Sequence, residues 1–577
     1  MPLEQPRGGE PLKSECSWRR PGATRERLRQ QLKQHCKTRT CAFCLDCPHC
    51  RAIGYACCVT PELRSSPPTL PLPPLPRAPP PPCIQESPHK PYCPPVAVRQ
   101  RQGGDGGGLA EEATAGMAAE AAGAFALAGL RAGLGLALGA SPSGGGARGA
   151  GALGGGFEGS AWAAGLPGSG LRGVREGARL LRWGLEPYAS GRCSVPPLAL
   201  AALVPLVEGP LAGPLAPALF SAALDTLSAA ALLRAGRALG LRGRSAWAAP
   251  AAHLLSPLTA AASWSGAGVA LESCSFYWAL AAALAGRPTA AAFPAALAAY
   301  LGASPLLLAL PVGLVLHRGS GPGALSGAKN PYGRPGSAGW FAALTLLWLA
   351  VLLWLSSALT QYWLAAARGG AGSSSGGLAG PPSLTDGLRY WMGRSYGVWF
   401  SLEDLSPNLG LFWYFFAEVM GPFRNYFLAL LHLQPFLLLP PLALALRGRP
   451  LLFTLAVAVL QSLFRPHPSS GDAAQFMALV PLVPELAHVP PTNIFTLASV
   501  FAYVYTLGPL FLDLWVESGV ANANFFYSIA LVSAAGHILA LSVSVSAAAE
   551  PPQAQSPTHE KQLSSGTHSG SPSSSEY

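Results

Sequence analysis

Apolar runs long enough to cross a lipid bilayer recur through most of this chain, separated by short polar stretches. The best delimited runs cover residues 340–366, 423–446, 451–464, 494–516 and 525–547. About twenty apolar residues in a helix cross the hydrocarbon core of a bilayer. With the less regular Ala/Leu/Pro-rich runs between 195 and 317 included, the pattern predicts an all-α polytopic membrane protein with about eleven transmembrane helices, within two either way.

Composition supports this fold class and narrows the functions that remain. The 577 residues are 50% hydrophobic and only 12% charged, which is too apolar for a protein surrounded by water. The net charge of +11 is spread along the chain without a dense basic tract, so a nucleic-acid partner is not expected. Ten of the 12 cysteines precede residue 94, so disulfides cannot hold the membrane part together.

The chain divides into three regions by composition. Residues 1–116 form a Cys- and Pro-rich extension without helical or strand periodicity, which predicts disorder. Residues 117–549 form the polytopic membrane domain, and residues 550–577 form a disordered Ser/Pro-rich tail on the cytosolic side. Met117 directly precedes an apolar run at 122–140 that could serve as signal anchor and first span.

The extension contains four cysteines in a Cys-x-x-Cys series, Cys41, Cys44, Cys47 and Cys50. Thiolates at this spacing can hold zinc or an iron–sulfur cluster. The segment lacks a second knuckle and a surrounding fold, so an unstructured extension is the preferred interpretation. No Walker-type GK[ST] motif follows the glycine-rich stretches, and we predict neither a metal nor a cofactor.

Basic residues set the orientation of the spans. The loops 317–334 and 447–449 are rich in arginine and lysine and should be cytosolic. Counting crossings from these loops, with 472–489 as one span, places the segments 367–422, 465–471 and 517–524 on the luminal side.

One predicted luminal segment combines a polar turn with consecutive aromatic residues. The stretch 400–423 reads FSLEDLSPNLGLFWYFFAEVMGPF, with Asp404 and Asn408 in its polar half. Its second half contains Phe412, Trp413, Tyr414, Phe415 and Phe416. Such rings are typical of an interfacial aromatic belt, and they could equally form a groove for acyl chains.

Other polar residues at predicted luminal turns could bind a ligand or cap a helix. Asn522 and Asn524 precede Phe525 and Phe526, and their carboxamides could bind sugar hydroxyls or phosphate, or cap the last helix. Asp472 could be a cap, a cation site or a sugar contact. Inside predicted spans, Asp225 and Glu272 would be functional candidates, because an ionisable group at that depth needs a partner.

The residues give little support for catalysis or transport. The membrane part contains two cysteines, Cys193 and Cys274, without a recognisable nucleophile–base arrangement. A polytopic sugar transferase would need an acidic pair in its first luminal loop, but residues 141–195 offer only single glutamates, Glu158, Glu176 and Glu186. A transporter would predict a repeat of spans, and we find none.

Two motifs resemble a known family. The pattern F-S-x-x-D-L-x-P-N-x-G-L-F-W-Y-F-F-A-E at Phe400–Glu418 and the heptapeptide A-N-A-N-F-F-Y at Ala521–Tyr527 are similar to segments of the PIG-U family, subunits of the glycosylphosphatidylinositol (GPI) transamidase. The resemblance is dense over 400–546 and sparse over 185–365. The aromatic and basic segment that ends this family is replaced here by Ala547-Ala-Ala-Glu-Pro-Pro.

The resemblance implies a noncatalytic, multi-pass subunit in the endoplasmic reticulum membrane that binds and presents the GPI lipid for attachment to precursor proteins. Its partners would be the catalytic cysteine-protease-like subunit, accessory membrane subunits and the GPI lipid. The fold would be similar to the polytopic mannosyltransferases, and a mannosyltransferase of GPI precursor synthesis is the alternative. The expected lipid-binding residues are Asn522, Asn524, Phe525, Phe526, Trp413, Tyr414, Phe415, Phe416, Asn408, Asp404 and Asp472.

The composition break yields a first testable prediction. We expect the mature protein to begin near Met117, because the extension before it has no pattern that a membrane domain could use. Mass spectrometry of the purified native protein should recover peptides from the membrane domain only. Peptides from residues 1–116 would contradict this prediction.

Overall fold

The computed structural model describes residues 168–208, 216–318, 337–370 and 383–549, together with positions 129, 163, 165 and 166. In these ranges the chain consists of helices and turns, which confirms the predicted all-α class. The predicted extension up to residue 116, the possible anchor at 122–140, Glu158 and the tail after 549 lie outside the described residues.

The first half of the membrane body is built from short and medium-length helices. In chain order they are α1 (Leu171–Arg182), α2 (Pro197–Glu208), α3 (Ala216–Ala238), α4 (Arg244–Leu254), α5 (Pro257–Trp264), α6 (Val269–Leu284), α7 (Pro288–Leu301) and α8 (Leu306–Arg318). Proline stands at the first position of α2, α5 and α7, where its missing N–H is not needed by the helix.

The second half contains longer helices joined by compact turns. They are α9 (Ser337–Gly370), α10 (Leu384–Ser395), α11 (Gly397–Ser401), α12 (Phe412–Glu418), α13 (Arg424–Ala445), α14 (Pro450–Leu463), α15 (Ser470–Leu479), α16 (Pro491–Leu512) and α17 (Ala523–Ala549). Three 3₁₀ turns, Gly421–Phe423, Val480–Leu482 and Pro484–His488, and a π-helical turn at Asp513–Glu517 join some of them.

Five helices in the described ranges are long and apolar enough to cross a membrane. They cover Ala216–Ala238, Ser337–Ala367, Gly421–Ala445, Pro491–Glu517 and Ala523–Ala549. Five shorter apolar helices accompany them, namely α2, α6, α7, α8 and α14. The predicted number of about eleven spans is therefore not confirmed. The predicted span 472–489 is a ten-residue helix followed by two 3₁₀ turns, because prolines at 481 and 484 interrupt it.

Helix α14 lies at the centre of the packed body. Every residue from Leu452 to Leu463 is buried, in keeping with a helix that is apolar on all sides. It packs against α8, α13, α15 and α17. By contrast, α13 is almost entirely on the outside, where Pro435 is the one buried residue of the helix. The interior is thus organised around a short helix, which two of the long helices, α13 and α17, contact.

A buried ion-pair cluster joins three elements next to the end of α14. Arg465 donates through Nη2 to both carboxylate oxygens of Glu272, at 2.9 and 2.7 Å, and through Nη1 to Oδ1 of Asp472. The exposed fractions of the three side chains are 3%, 6% and 2%. Burial alone would lower the pKa of Arg465, but the carboxylates of Asp472 and Glu272 together raise it above its ordinary value.

The second candidate carboxylate is also paired inside the body. Asp225 on α3 is 4% exposed and accepts hydrogen bonds from the hydroxyl of Ser263, at 3.2 and 3.0 Å. Nε2 of His253 on α4 lies 3.7 Å from Oδ1 of Asp225. Asp225 and Glu272 therefore satisfy the rule that an ionisable group buried in a membrane protein finds a partner within it.

The ion-pair cluster generates a stability prediction. Arg465→Gln leaves two buried carboxylates without their cation and should lower the free energy of unfolding by about 3–5 kcal/mol. Thermal unfolding of the detergent-purified protein would measure the effect. The exposed Arg447→Gln is the matched control and should change the midpoint little. Equal midpoints for the two variants would show that the cluster contributes nothing to stability.

Candidate functional site

The polar half of the first motif folds into a turn that its own side chains hold. Oδ1 of Asp404 accepts from the backbone N–H of Ser406 at 2.8 Å. Oδ1 of Asn408 accepts from the N–H of Gly410 at 2.7 Å, and its Nδ2 donates to the carbonyl of Ser406 at 3.0 Å. A Cβ at Gly410 would stand 2.6 Å from Cδ of Pro468, so only glycine fits there. Asp404 and Asn408 thus determine the conformation of the turn.

Immediately before this turn the backbone takes an uncommon conformation. Leu402 is fully buried and has a φ of 51°, in the left-handed region that a branched residue seldom adopts. Nη2 of Arg424 donates to the carbonyls of Ser401 and Leu402, at 3.0 and 2.8 Å. The first turn of α13 therefore holds the segment that leads into the candidate site.

The aromatic half of the first motif packs directly against the second motif. Trp413 lies at the centre, with its ring 5.8 Å from Trp515, 5.9 Å from Phe526 and 5.9 Å from Tyr527. Beside it, the rings of Tyr414 and Tyr527 stack at 4.5 Å. These five side chains, here called the aromatic cluster, join α12 to the start of α17 and to the π-helical turn after α16.

Both asparagines of the second motif lie on the exposed edge of the aromatic cluster. Asn522 precedes α17 and accepts through Oδ1 from the backbone N–H of Asn524 at 3.1 Å, so it serves as the helix cap. Oδ1 of Asn524 accepts a hydrogen bond from the hydroxyl of Tyr414. Both side chains are exposed, so their Nδ2 groups can donate to a ligand. Phe525, the residue after Asn524, is 53% exposed.

A small recess, with room for about one water molecule, lies next to the residues that precede α12. Its lining includes Leu411, whose carbonyl accepts from the hydroxyl of Tyr527 at 3.3 Å. Polar side chains from α14, the start of α15, α16 and α17 also line it, namely Ser462, Ser469, Tyr505, Ser533 and His537. The site therefore combines exposed amides, aromatic rings and a partly polar recess.

The turn of the first motif is also tied to the buried ion pairs. Nε2 of His467 lies 3.0 Å from the carbonyl oxygen of Asp404. Burial lowers the pKa of this imidazole, although Asp404 opposes the shift. The Trp399 ring meets the His467 ring edge to face. The Arg465 guanidinium lies over the Trp399 ring, 4.9 Å from its centroid. A rigid chain of contacts thus connects the surface turn to the interior.

Comparison with known proteins identifies the family. The family model described as GPI transamidase subunit PIG-U matches residues 161–533, which is well over half of the chain. This chain belongs to the PIG-U family. Among curated relatives, the GPI-anchor transamidase component PIGU of Mus musculus is 38% identical over 147 residues, and that of Homo sapiens is 37% identical over the same length.

The relatives are matched over a limited part of their length. The aligned segment covers 26% of this chain and 34% of the mouse and human PIG-U components. A GPI transamidase component GAB1 homolog of Schizosaccharomyces pombe is 37% identical over 142 residues, or 24% of this chain and 34% of its own. This chain therefore aligns with about a third of the length of the curated relatives it matches.

Within this PIG-U family chain, several predicted lipid-binding residues are buried. Trp413, Phe416, Phe526 and Asn408 are at most 4% exposed. Asp472 is 2% exposed, and its Oδ2 accepts from the backbone N–H and hydroxyl of Ser469 at 2.7 and 2.8 Å. Other parts of the protein cover these five side chains, and their contact with a lipid stays a prediction. Asp472 acts as a cap and ion-pair partner.

Other residues from the sequence prediction remain accessible. Asn522, Asn524 and Phe525 are exposed, whereas Tyr414, Phe415 and Asp404 are partly exposed. Sequence reasoning missed Trp515 and Arg465, which come from segments without a distinctive motif. The position of Arg465 between two apolar runs could have identified it, because a cation buried there needs a carboxylate partner.

The bond between the two motifs can be tested by a double-mutant cycle. Tyr414→Phe removes the hydroxyl that donates to Asn524 but keeps the ring stacked on Tyr527, and Asn524→Ala removes the acceptor. Thermal unfolding in detergent should show a coupling between the two changes of about 0.5–1.5 kcal/mol. Tyr426→Phe, at an exposed tyrosine on α13, is the control and should not couple. Additive effects of Tyr414→Phe and Asn524→Ala would contradict the bond.

Proposed function

We propose that this protein is a noncatalytic subunit of the GPI transamidase and that it binds and presents the GPI lipid in the lumen of the endoplasmic reticulum. Membership of the PIG-U family supports the assignment to the complex. The observation that carries the binding role is the meeting of two distant motifs, at 400–418 and 521–527, in one partly exposed site.

The chemistry of the site suits an amphiphile with a glycan headgroup. Nδ2 groups of Asn522 and Asn524 donate to sugar hydroxyls or phosphate oxygens of the headgroup. Phe525 and the partly exposed faces of Tyr414 and Phe415 contact the first methylenes of the acyl chains. Each methylene removed from water contributes about 0.8 kcal/mol, so the rings supply affinity while the amides supply selectivity.

The buried residues keep these groups in place. Trp413 is covered by Trp515, Phe526 and Tyr527, so the two exposed amides are carried on a packed base. Binding to a preorganised surface costs less conformational entropy than binding to a loop that must first become ordered. The partners in this proposal are the catalytic cysteine-protease-like subunit and the accessory membrane subunits of the complex.

The proposal is tested by rescue of cells that lack their own PIG-U subunit. The full chain and residues 117–577, each with an affinity tag, should restore surface display of a GPI-anchored reporter and copurify with the other transamidase subunits. Expression without rescue or copurification would overturn the assignment to the complex. A mannosyltransferase of GPI precursor synthesis would instead restore the reporter only in cells that lack that enzyme.

The binding role is tested by the two asparagines. Asn522→Ala with Asn524→Ala should lower surface display at least about fivefold, since each lost hydrogen bond to a ligand costs on the order of 1 kcal/mol or more. Copurification of the other subunits should remain intact. Asn425→Ala with Asn493→Ala removes two other exposed asparagines and is the matched control. Loss of assembly in the Asn522/Asn524 variant would show that these residues are structural caps only.

A further inference from the structure

Two amphipathic surface helices lie outside the site described above. Helix α1 has the sequence LRGVREGARLLR and buries Val174, Ala178 and Leu180 against the body. Its opposite side exposes Arg172, Arg179 and Arg182. Helix α10 has the sequence LTDGLRYWMGRS, buries Trp391, and exposes Arg389 and Arg394.

Tyrosine contacts join α10 to the turn that follows α1. The hydroxyl of Tyr390 on α10 donates to Oε2 of Glu186, just after α1, at 2.7 Å. The rings of Tyr390 and Tyr188 meet edge to face at 6.1 Å, and the hydroxyl of Tyr188 donates to the carbonyl of Val195 at 2.9 Å. Helix α10 is therefore adjacent to the turn after α1. We call the exposed arginines of α1 and α10 the basic surface.

Apolar residues at the end of α1 are turned outward beside these arginines. Trp183 is 66% exposed and Leu185 is 48% exposed. They are held there by the closing turn of the helix, in which Leu185 donates to the carbonyl of Leu180 at 2.9 Å and Gly184 has a φ of 71°. An exposed tryptophan next to arginines, on a helix with one buried face, is characteristic of a membrane–water interface.

Acidic groups near the basic surface do not cancel its charge. Glu176 lies 3.9 Å from Arg179, Glu186 is engaged by Tyr390, and Asp386 accepts from the backbone N–H of Ser383 at 3.0 Å at the start of α10. The five exposed arginines of the two helices outnumber these three carboxylates. Guanidinium groups bind phosphate oxygens with two parallel hydrogen bonds, so the complementary ligand is a phosphate group.

We propose that the basic surface binds the phosphate groups of anionic phospholipids at the bilayer surface, with Trp183 and Leu185 inserted among the lipids. Trp183 directly follows Arg182 at the end of α1, and Leu185 lies two residues further on, so a single leaflet can supply both the phosphate groups and the acyl chains. This inference is independent of the proposed role in GPI binding, since it uses other residues and another class of lipid.

The experiment uses the full chain in nanodiscs that contain equal amounts of a zwitterionic and an anionic phospholipid. Bromine is placed on the acyl chains of one lipid or the other, and quenching of Trp183 is obtained by subtracting the Trp183→Phe variant. We expect quenching to be at least about twofold stronger when the anionic lipid carries the bromine, because each arginine at an anionic surface raises local lipid occupancy. High salt should reduce the difference.

Charge variants identify the groups responsible. Arg172→Gln, Arg179→Gln and Arg182→Gln together should abolish the preference, and the three corresponding Lys substitutions should retain most of it. Arg242→Gln, Arg244→Gln and Arg287→Gln remove three exposed charges elsewhere and should leave the preference unchanged. Equal quenching by both lipids, absence of quenching at Trp183, or a preference that survives the Gln substitutions on α1 would each overturn the proposal.

Discussion

Arg465 and its two carboxylate partners form the interaction on which the rest of the structure depends. The guanidinium binds Glu272 at the start of α6 and Asp472 in the first turn of α15, from a loop that follows the central helix α14. A buried charge without a partner is costly, so these three elements can meet in only a few arrangements. Through Trp399 and His467 the same arginine also positions the turn that begins the candidate site.

The candidate site is attached to the ion-pair cluster through packed aromatic rings and not through further charged groups. Once the turn at 404–410 is in place, α12 presents Trp413 to Trp515 and Phe526, and the start of α17 is brought beside it. Large rings in edge-to-face and stacked contacts have few alternative arrangements. Two exposed amides are thereby held at the edge of a rigid base, which suits recognition of a polar headgroup better than a mobile loop would.

The predicted site residues differ in burial: some side chains are exposed, and others are packed inside the protein. Not every polar residue of the motif at 400–423 is available to a ligand. The amide of Asn408 hydrogen-bonds to the backbone of the turn, and the residue is 1% exposed. Asn522 and Asn524 also make internal hydrogen bonds, yet they remain exposed. Asn522 and Asn524 can therefore make internal hydrogen bonds and still be reached by a ligand. The side chains of Asn408 and Asp472 are buried, and their hydrogen bonds are made within the protein.

The sequence by itself determined the helical class, the positions of four of the five long apolar helices and the two motifs of the site. These features depend on local composition and on short spacings. The length of an apolar run decides whether a helix can span a bilayer, and a single side chain can cap a helix. The tertiary structure decided which of those residues are exposed, because burial depends on partners such as Trp515 that lie about a hundred positions away. It also decided how Arg465 pairs with Glu272, 193 residues earlier in the chain, since no local pattern specifies the partner of a buried charge.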